Sequence, residues 1–115
     1  MAAVKQTISF EDFEKIDIRV GTILSVEDVA GSDKSVKLQV DFWEFKRQIL
    51  VGLKKERVNP QEIVGKQALF VVNLAPRTMA GEISEGMIFD IGYSDGIVPV
   101  LAVPEKAVEN GVRAG

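Results

Sequence analysis

At 115 residues the chain has room for one domain, 1–115, that buries roughly two thirds of its unfolded surface. Hydrophobic residues at 46% and charged residues at 27% exclude a disordered chain, and no apolar run reaches the roughly 20 residues of a membrane-spanning helix. Cysteine and histidine are both absent, which excludes disulfides, zinc thiolates, thiol nucleophiles and imidazole bases; no cofactor and no metal are expected, and a cytoplasmic location fits.

The net charge of −3 hides an asymmetry. Residues 30–77 carry nine Lys/Arg against five acids, a balance of +4, while the remainder carries five against twelve, a balance of −7. A basic half on an acidic protein suffices for a local phosphate-binding face.

Residues 1–8 show no periodicity and read as a loose end. Ser9 has the form of a helix N-cap, with Asp12 three residues on and Phe10 and Phe13 on one face, so a short helix should follow. From Ile16 the period becomes two. Ile16, Ile18, Val20, Thr22, Leu24 and Val26 share one face of a long strand, with Gly21 placed to let it bend or bulge. A Gly/Ser/Asp turn over 30–35 comes next. Val36, Leu38, Val40 and Phe42, then Phe45, Arg47, Ile49 and Val51, predict a hairpin. Asn59-Pro60-Gln61-Glu62 is a capping box with proline at the first helical position, and Gly65 stops that helix near 64. Residues 67–74 form a continuous apolar run, expected as a strand buried on both faces. A loop punctuated by Pro76, Gly81 and Gly86 leads to two more strands, over 87–91 and 98–103. Three strands, a helix and at least two further strands predict an all-β protein: a five-stranded OB-fold barrel with a short helix between strands three and four and a C-terminal extension.

Catalysis has little support. No histidine can act as base, Ser84 and Glu85 are adjacent and so point to opposite faces of a strand, and no phosphate loop or calcium loop occurs. No catalytic residue is assigned, and the chain is not expected to be an enzyme. Nucleic-acid binding fares better. Lys34 in the first turn, Lys37 on the second strand, Arg47 on the third and Arg77 in the later loop converge on one rim if the barrel is right. Trp43, at the hairpin tip with Phe42 and Phe45, reads two ways: an indole presented for stacking on a base, or a cover over the barrel's end.

Two segments, Asp17-Ile18-Arg19-Val20-Gly21 and Asn73-Leu74-Ala75-Pro76-Arg77-Thr78-Met79-Ala80-Gly81 leading to Ser84-Glu85-Gly86-Met87, resemble the tRNA-binding domain family. That family includes the C-terminal domain of some methionyl-tRNA synthetases, free-standing dimeric tRNA-binding proteins and CsaA-type secretion chaperones. The resemblance implies an RNA surface of Arg19, Lys34, Asn73, Arg77, Ser84 and Glu85. The residues also have structural readings: Asn73 can satisfy backbone at a strand end, and Arg19 can pair with Asp17 or Glu85. Thr78 and Ala80 stand where strong RNA binders of the family place Lys and Arg beside the loop methionine, which is closer to the CsaA type. Val103-Pro104-Glu105 and Gly111-Val112-Arg113 resemble the family's tail, so 104–115 is expected to serve homodimerisation, and the chain resembles the free-standing members. The function expected is non-catalytic binding of tRNA or structured RNA by a homodimer, with no membrane insertion. The alternative is a CsaA-like export chaperone holding unfolded preprotein peptides through Met79, Ile83 and Met87.

Overall fold

The computed structural model describes residues 2–115; of the loose end expected over 1–8, residue 1 lies outside the described residues, and 2–9 form no regular element. Helix α1, Phe10–Glu14, starts where the cap predicts, the Ser9 hydroxyl accepting the Asp12 N–H at 3.1 Å. Eight strands come after it: β1 Ile18–Asp28, β2 Val36–Asp41, β3 Lys46–Val51, β4 Gln67–Val71, β5 Arg77–Met79, β6 Glu82–Ser84, β7 Met87–Ile88 and β8 Arg113–Ala114. Five of them hydrogen-bond in the order β3-β2-β1-β4-β7, and β8 adds to β1. The sheet curls into a barrel-like all-β fold around Ile23, Leu38, Val40, Phe42, Ile49, Ile63 and Phe70, all essentially without solvent contact. Phe42 meets Phe70 edge-on at 5.6 Å, a preferred aromatic geometry.

Strand β1 holds the sheet together. One edge pairs with β4 through residues 18–22; the other pairs with β2 through residues 22–28 and with β8 through Ile18 and Arg19. Its inner face departs from simple alternation. The pairing with β2 shifts between Ile23 and Ser25, so Ile23 and Val26 are buried while Leu24, expected inside, turns out to solvent. One extra residue on one strand is enough to reverse the facing of every residue beyond it. Gly21 serves close approach rather than the bulge: a Cβ there would lie 2.6 Å from Val40 Cγ1 and 2.7 Å from Phe42 Cε1.

The expected hairpin of β2 and β3 is present, with Asp41 opposite Lys46 and Val36 opposite Val51. Between β3 and β4 the helix is a 3-10 turn, Pro60–Ile63, with Asn59 Oδ1 accepting the Gln61 N–H. Glu62 does not complete the capping box; it pairs with Arg57 instead, while Ile63 plugs the barrel. The apolar run ends as strand at Val71, and Leu74 is exposed. The loop after it is itself a hairpin: β5 and β6 pair Met79 with Glu82 across Ala80-Gly81, both with positive φ, 51° and 80°, as a two-residue type I′ turn requires. Beyond β7 the expected strands shrink to one bridge between Ile91 and Val100. Pro99 and Pro104 supply no N–H to a ladder, and Gly92 and Gly96 turn the chain with φ of 107° and 72°.

The tail returns along β1. Val20 N–H donates to Val112 O at 2.9 Å, Gly111 N–H donates to Val20 O at 2.8 Å, and the Gln67 amide exchanges hydrogen bonds with the Val108 backbone.

Candidate nucleic-acid interface

The barrel closes between β3 and the segment joining β6 to β7, and side chains do much of the closing. Glu85 N–H donates to Gln48 O at 2.8 Å, and the Gln48 N–H donates to the Glu85 carboxylate at 3.0 Å. Leu50 N–H donates to the Ser84 hydroxyl at 3.1 Å, and that hydroxyl donates to Gly86 O at 3.0 Å. Ser84 is buried, and a Cβ at Gly86 would sit 2.8 Å from the Val71 carbonyl oxygen. Ser84 and Glu85 therefore complete the backbone pairing of β3, whatever else they contact. Arg47 joins them: its Nη1 donates to Val72 O and Glu85 O at 3.1 and 2.9 Å, with the guanidinium 4.8 Å from the centre of the Phe45 ring.

Phe45 is a half-buried platform. It stacks on Phe42 at 5.2 Å and also receives the Arg19 guanidinium at 5.6 Å. Arg19 grips Asp17 with both arms, Nε to Oδ1 and Nη2 to Oδ2 at 3.0 Å each. This hydrogen bond, more than the charge of Arg19 or of Arg113 at 3.7 Å, holds the Asp17 carboxyl below its ordinary pKa against the opposing effect of burial, and it raises that of Arg19. Asn73 fastens the same corner: its Oδ1 accepts the Asp17 N–H at 2.9 Å and its amide nitrogen donates to Lys15 O. A cleft between α1, β1 and β8 opens beside it, lined by Phe10, Phe13, Asp17, Asn73 and Arg113.

Lys37 reaches from β2 to Glu82 on the second hairpin at 2.8 Å, and that hydrogen bond raises its pKa. The turn at 30–35 approaches the same hairpin, a Cβ at Gly31 falling 3.4 Å from Ala80 O. Lys34 on that turn and Arg77 at the start of β5 are exposed, and neither has a carboxylate within ion-pair distance among the described residues. Arg77 touches the Met79 sulfur at 3.8 Å. Of the eight sequence-assigned residues, Arg47, Ser84 and Glu85 meet in the closing seam, and Arg19 and Asn73 meet through Asp17. Lys37 bridges to the hairpin, and Lys34 and Arg77 keep free charges. Of the three peptide-site residues, Ile83 and Met87 are exposed and Met79 is half-buried.

The outer face of β2 and β3 adds two residues absent from the sequence assignment. Gln39 donates to Gln48 at 3.1 Å, and Gln48 donates to Ile83 O at 3.0 Å, tying the second hairpin to the sheet. Their opposition is a product of the hairpin register once the loop length is known. Among the described residues no group of three or more acidic side chains is placed to hold a metal ion, and no helix is long and apolar enough to cross a membrane.

A family model described as a putative tRNA binding domain matches residues 18–113, and the chain belongs to that family. It is 47% identical over 92 residues to the methionine–tRNA ligase of Chlorobium chlorochromatii and 43% identical over 108 residues to that of Parabacteroides distasonis. Those alignments take in 80% and 94% of this chain but 13% and 16% of the ligases, so the chain spans a small part of the curated relatives it matches. Among solved structures it is similar to a MetRS related protein from Pyrococcus horikoshii, with a TM-score of 0.87 and 31% identity over 96% of this chain and 100% of that one. It is also similar to the chaperone CsaA from Bacillus anthracis, with a TM-score of 0.79 and 28% identity over 96% and 100% of the two chains.

The seam and the Asp17 corner can each be tested by one substitution. Ser84→Ala strands the buried Leu50 N–H and should lower unfolding free energy by about 1–3 kcal/mol in urea titrations; a variant as stable as the parent would remove Ser84 from the seam. Asp17 has a depressed folded pKa, so its contribution is fully present above its unfolded value of about 4 and is lost as pH falls through the folded value. Acid unfolding followed by circular dichroism should accordingly be shallower in Asp17→Asn than in the parent.

Proposed function

We propose that this chain is a non-catalytic domain that binds tRNA, or structured RNA of similar shape, through the barrel rim between the 30–35 turn and the β5–β6 hairpin. The observation that carries the reading is Arg77: an exposed guanidinium on a hairpin pinned at its base, with Lys34 on the turn beside the hairpin's tip. A planar fork of fixed charge suits phosphate better than a lysine does. Arg19, Lys37, Arg47, Asn73, Ser84 and Glu85 act in this proposal mainly by holding the rim in shape, with Arg19 and Lys37 partly open to RNA. A cytoplasmic setting is part of the same proposal.

Thr78 and Ala80 flank Met79 without charge, so the domain should make few phosphate contacts and bind in the micromolar range. Each neutralised phosphate contributes a log–log salt slope of about −0.7 to −0.9. Arg77→Ala should weaken tRNA binding by about 1 kcal/mol or more, with unchanged thermal stability, in filter-binding assays across salt concentrations. Unchanged affinity in that variant would remove the hairpin from the RNA site. A second reading has its own support in the exposure of Ile83 and Met87 and in the likeness to CsaA: unfolded peptides bound on the same hairpin. Under that reading Met79→Asp abolishes peptide binding and Arg77→Ala does not.

Homodimerisation belongs to the proposal as well. Ile97, Val98, Val100 and Val103 form an exposed apolar stretch, each more than half exposed, of the kind a twofold mate covers. Sedimentation should give a dimer for the whole chain, and truncation after Val103 should give monomer or aggregate, since it also strips β8 from the edge of β1. A monodisperse monomer of the whole chain would reject the dimer.

A further inference from the structure

We propose that Trp43, at the tip of the β2–β3 hairpin, is a stacking platform for an unpaired nucleobase, a contact separate from the phosphate-binding hairpin. The inference rests on the RNA-binding reading above. Trp43 is 81% exposed while its neighbour Phe42 is 1% exposed, so Phe42 closes the barrel and the indole stands largely in solvent. No aromatic partner or hydrogen bond to the indole N–H is present among the described residues.

The backbone at this position is costly. Trp43 has φ of 76°, a region favouring glycine and strained for a bulky side chain. The turn is nevertheless firmly built. Asp41 Oδ1 accepts the Trp43 N–H at 2.9 Å, and Phe42 N–H donates to Phe45 O at 2.9 Å. From the tail, Gly111 packs so tightly that a Cβ there would collide with the Phe42 carbonyl oxygen and lie 3.8 Å from Trp43 Cβ. A large ring held outward on a rigid, strained turn that glycine would fill at lower cost breaks a local rule with no gain in packing, the pattern expected of a binding residue.

The surrounding charges select a base rather than a phosphate. Asp41 and the exposed Glu44 lie on the same turn and repel phosphate, whereas an aromatic face accepts the neutral face of any base. Lys46, opposite Asp41 on the outer sheet face, is exposed and lies within no ion-pair distance of a carboxylate among the described residues, so it can take the adjoining phosphate. From Lys46 the outer face continues through Gln48 to the β5–β6 hairpin. Lys46 and Leu50 are about 13 Å apart along β3, within the span of the roughly 4–16 nucleotides an OB-fold tracks.

Trp43 is the chain's one tryptophan, so its emission reports on this site alone. Titration with unfractionated tRNA should quench it, and a blunt RNA duplex lacking unpaired bases should not. Trp43→Ala should weaken tRNA binding about tenfold with an unchanged salt slope, and Trp43→Phe should stay within about threefold of the parent. Trp43→Gly should lose the same affinity while its Tm is no lower than the parent's, which separates a binding role from a structural one. If Trp43→Ala binds as the parent does while Arg77→Ala weakens binding, stacking is wrong and the RNA reading stands. No tRNA binding by the parent at low salt overturns both. An emission blue shift on raising protein concentration without RNA assigns the indole to a second copy of the chain and overturns the proposal.

Discussion

Closure of the sheet between β3 and the β6–β7 segment is the constraint on which the rest depends. A curled sheet that fails to close leaves two unpaired edges, and this one closes with little regular ladder. The Ser84 hydroxyl and Glu85 carboxylate stand in for backbone carbonyls, accepting the Leu50 and Gln48 N–H groups, and Gly86 lets the chain pass against Val71. Arg47 then ties two carbonyls, from Val72 and Glu85, to an aromatic stack. Removing the Ser84 hydroxyl leaves the buried Leu50 N–H unsatisfied, which costs more than the bond itself contributes.

The exposed hairpin of β5 and β6 inherits its position from that seam. Its base is fixed by Ser84, its flank by the Gln48 amide on Ile83 O, and its outer half by the Lys37–Glu82 pair. The first two are uncharged contacts insensitive to salt; the third is a partly exposed ion pair that salt screens. Arg77 sits at the firmly held end, its backbone opposite Ser84.

Much of the fold was legible because its signals are local. Ser9, Asn59-Pro60 and the alternation of Val36–Asp41 act through neighbours in sequence, and each stands where the pattern predicts it. The exit of Leu24 from the core was not legible, because the register shift at Ile23 depends on how β1 divides its edges between partners. The β5–β6 turn was hidden for a chemical reason: alanine at its first central position lacks the Asn or Gly signal of a type I′ turn. At the site, the residue types that mark RNA contact are also those that satisfy backbone. Sequence can nominate Ser84, Glu85 and Asn73, but only the closed barrel shows that each already has a backbone partner. Lys34 and Arg77 differ from these in being exposed and in having no carboxylate within ion-pair distance among the described residues.

The pairing of the tail with β1 has a consequence for the order of folding. Ile18 faces Ala114 and Val20 bonds to Gly111 and Val112, so the stretch of the first strand over residues 18–20 has one side that waits for residues 111–114 to be synthesised. Contacts spanning nearly the whole domain make for slow, late closure. On the ribosome β1 keeps that short stretch open until residues 111–114 leave the exit tunnel, after the strands β2 to β7 have emerged. The nascent domain therefore passes through a stage with a bare strand edge beside its newly formed core, the form in which strands of neighbouring chains pair wrongly.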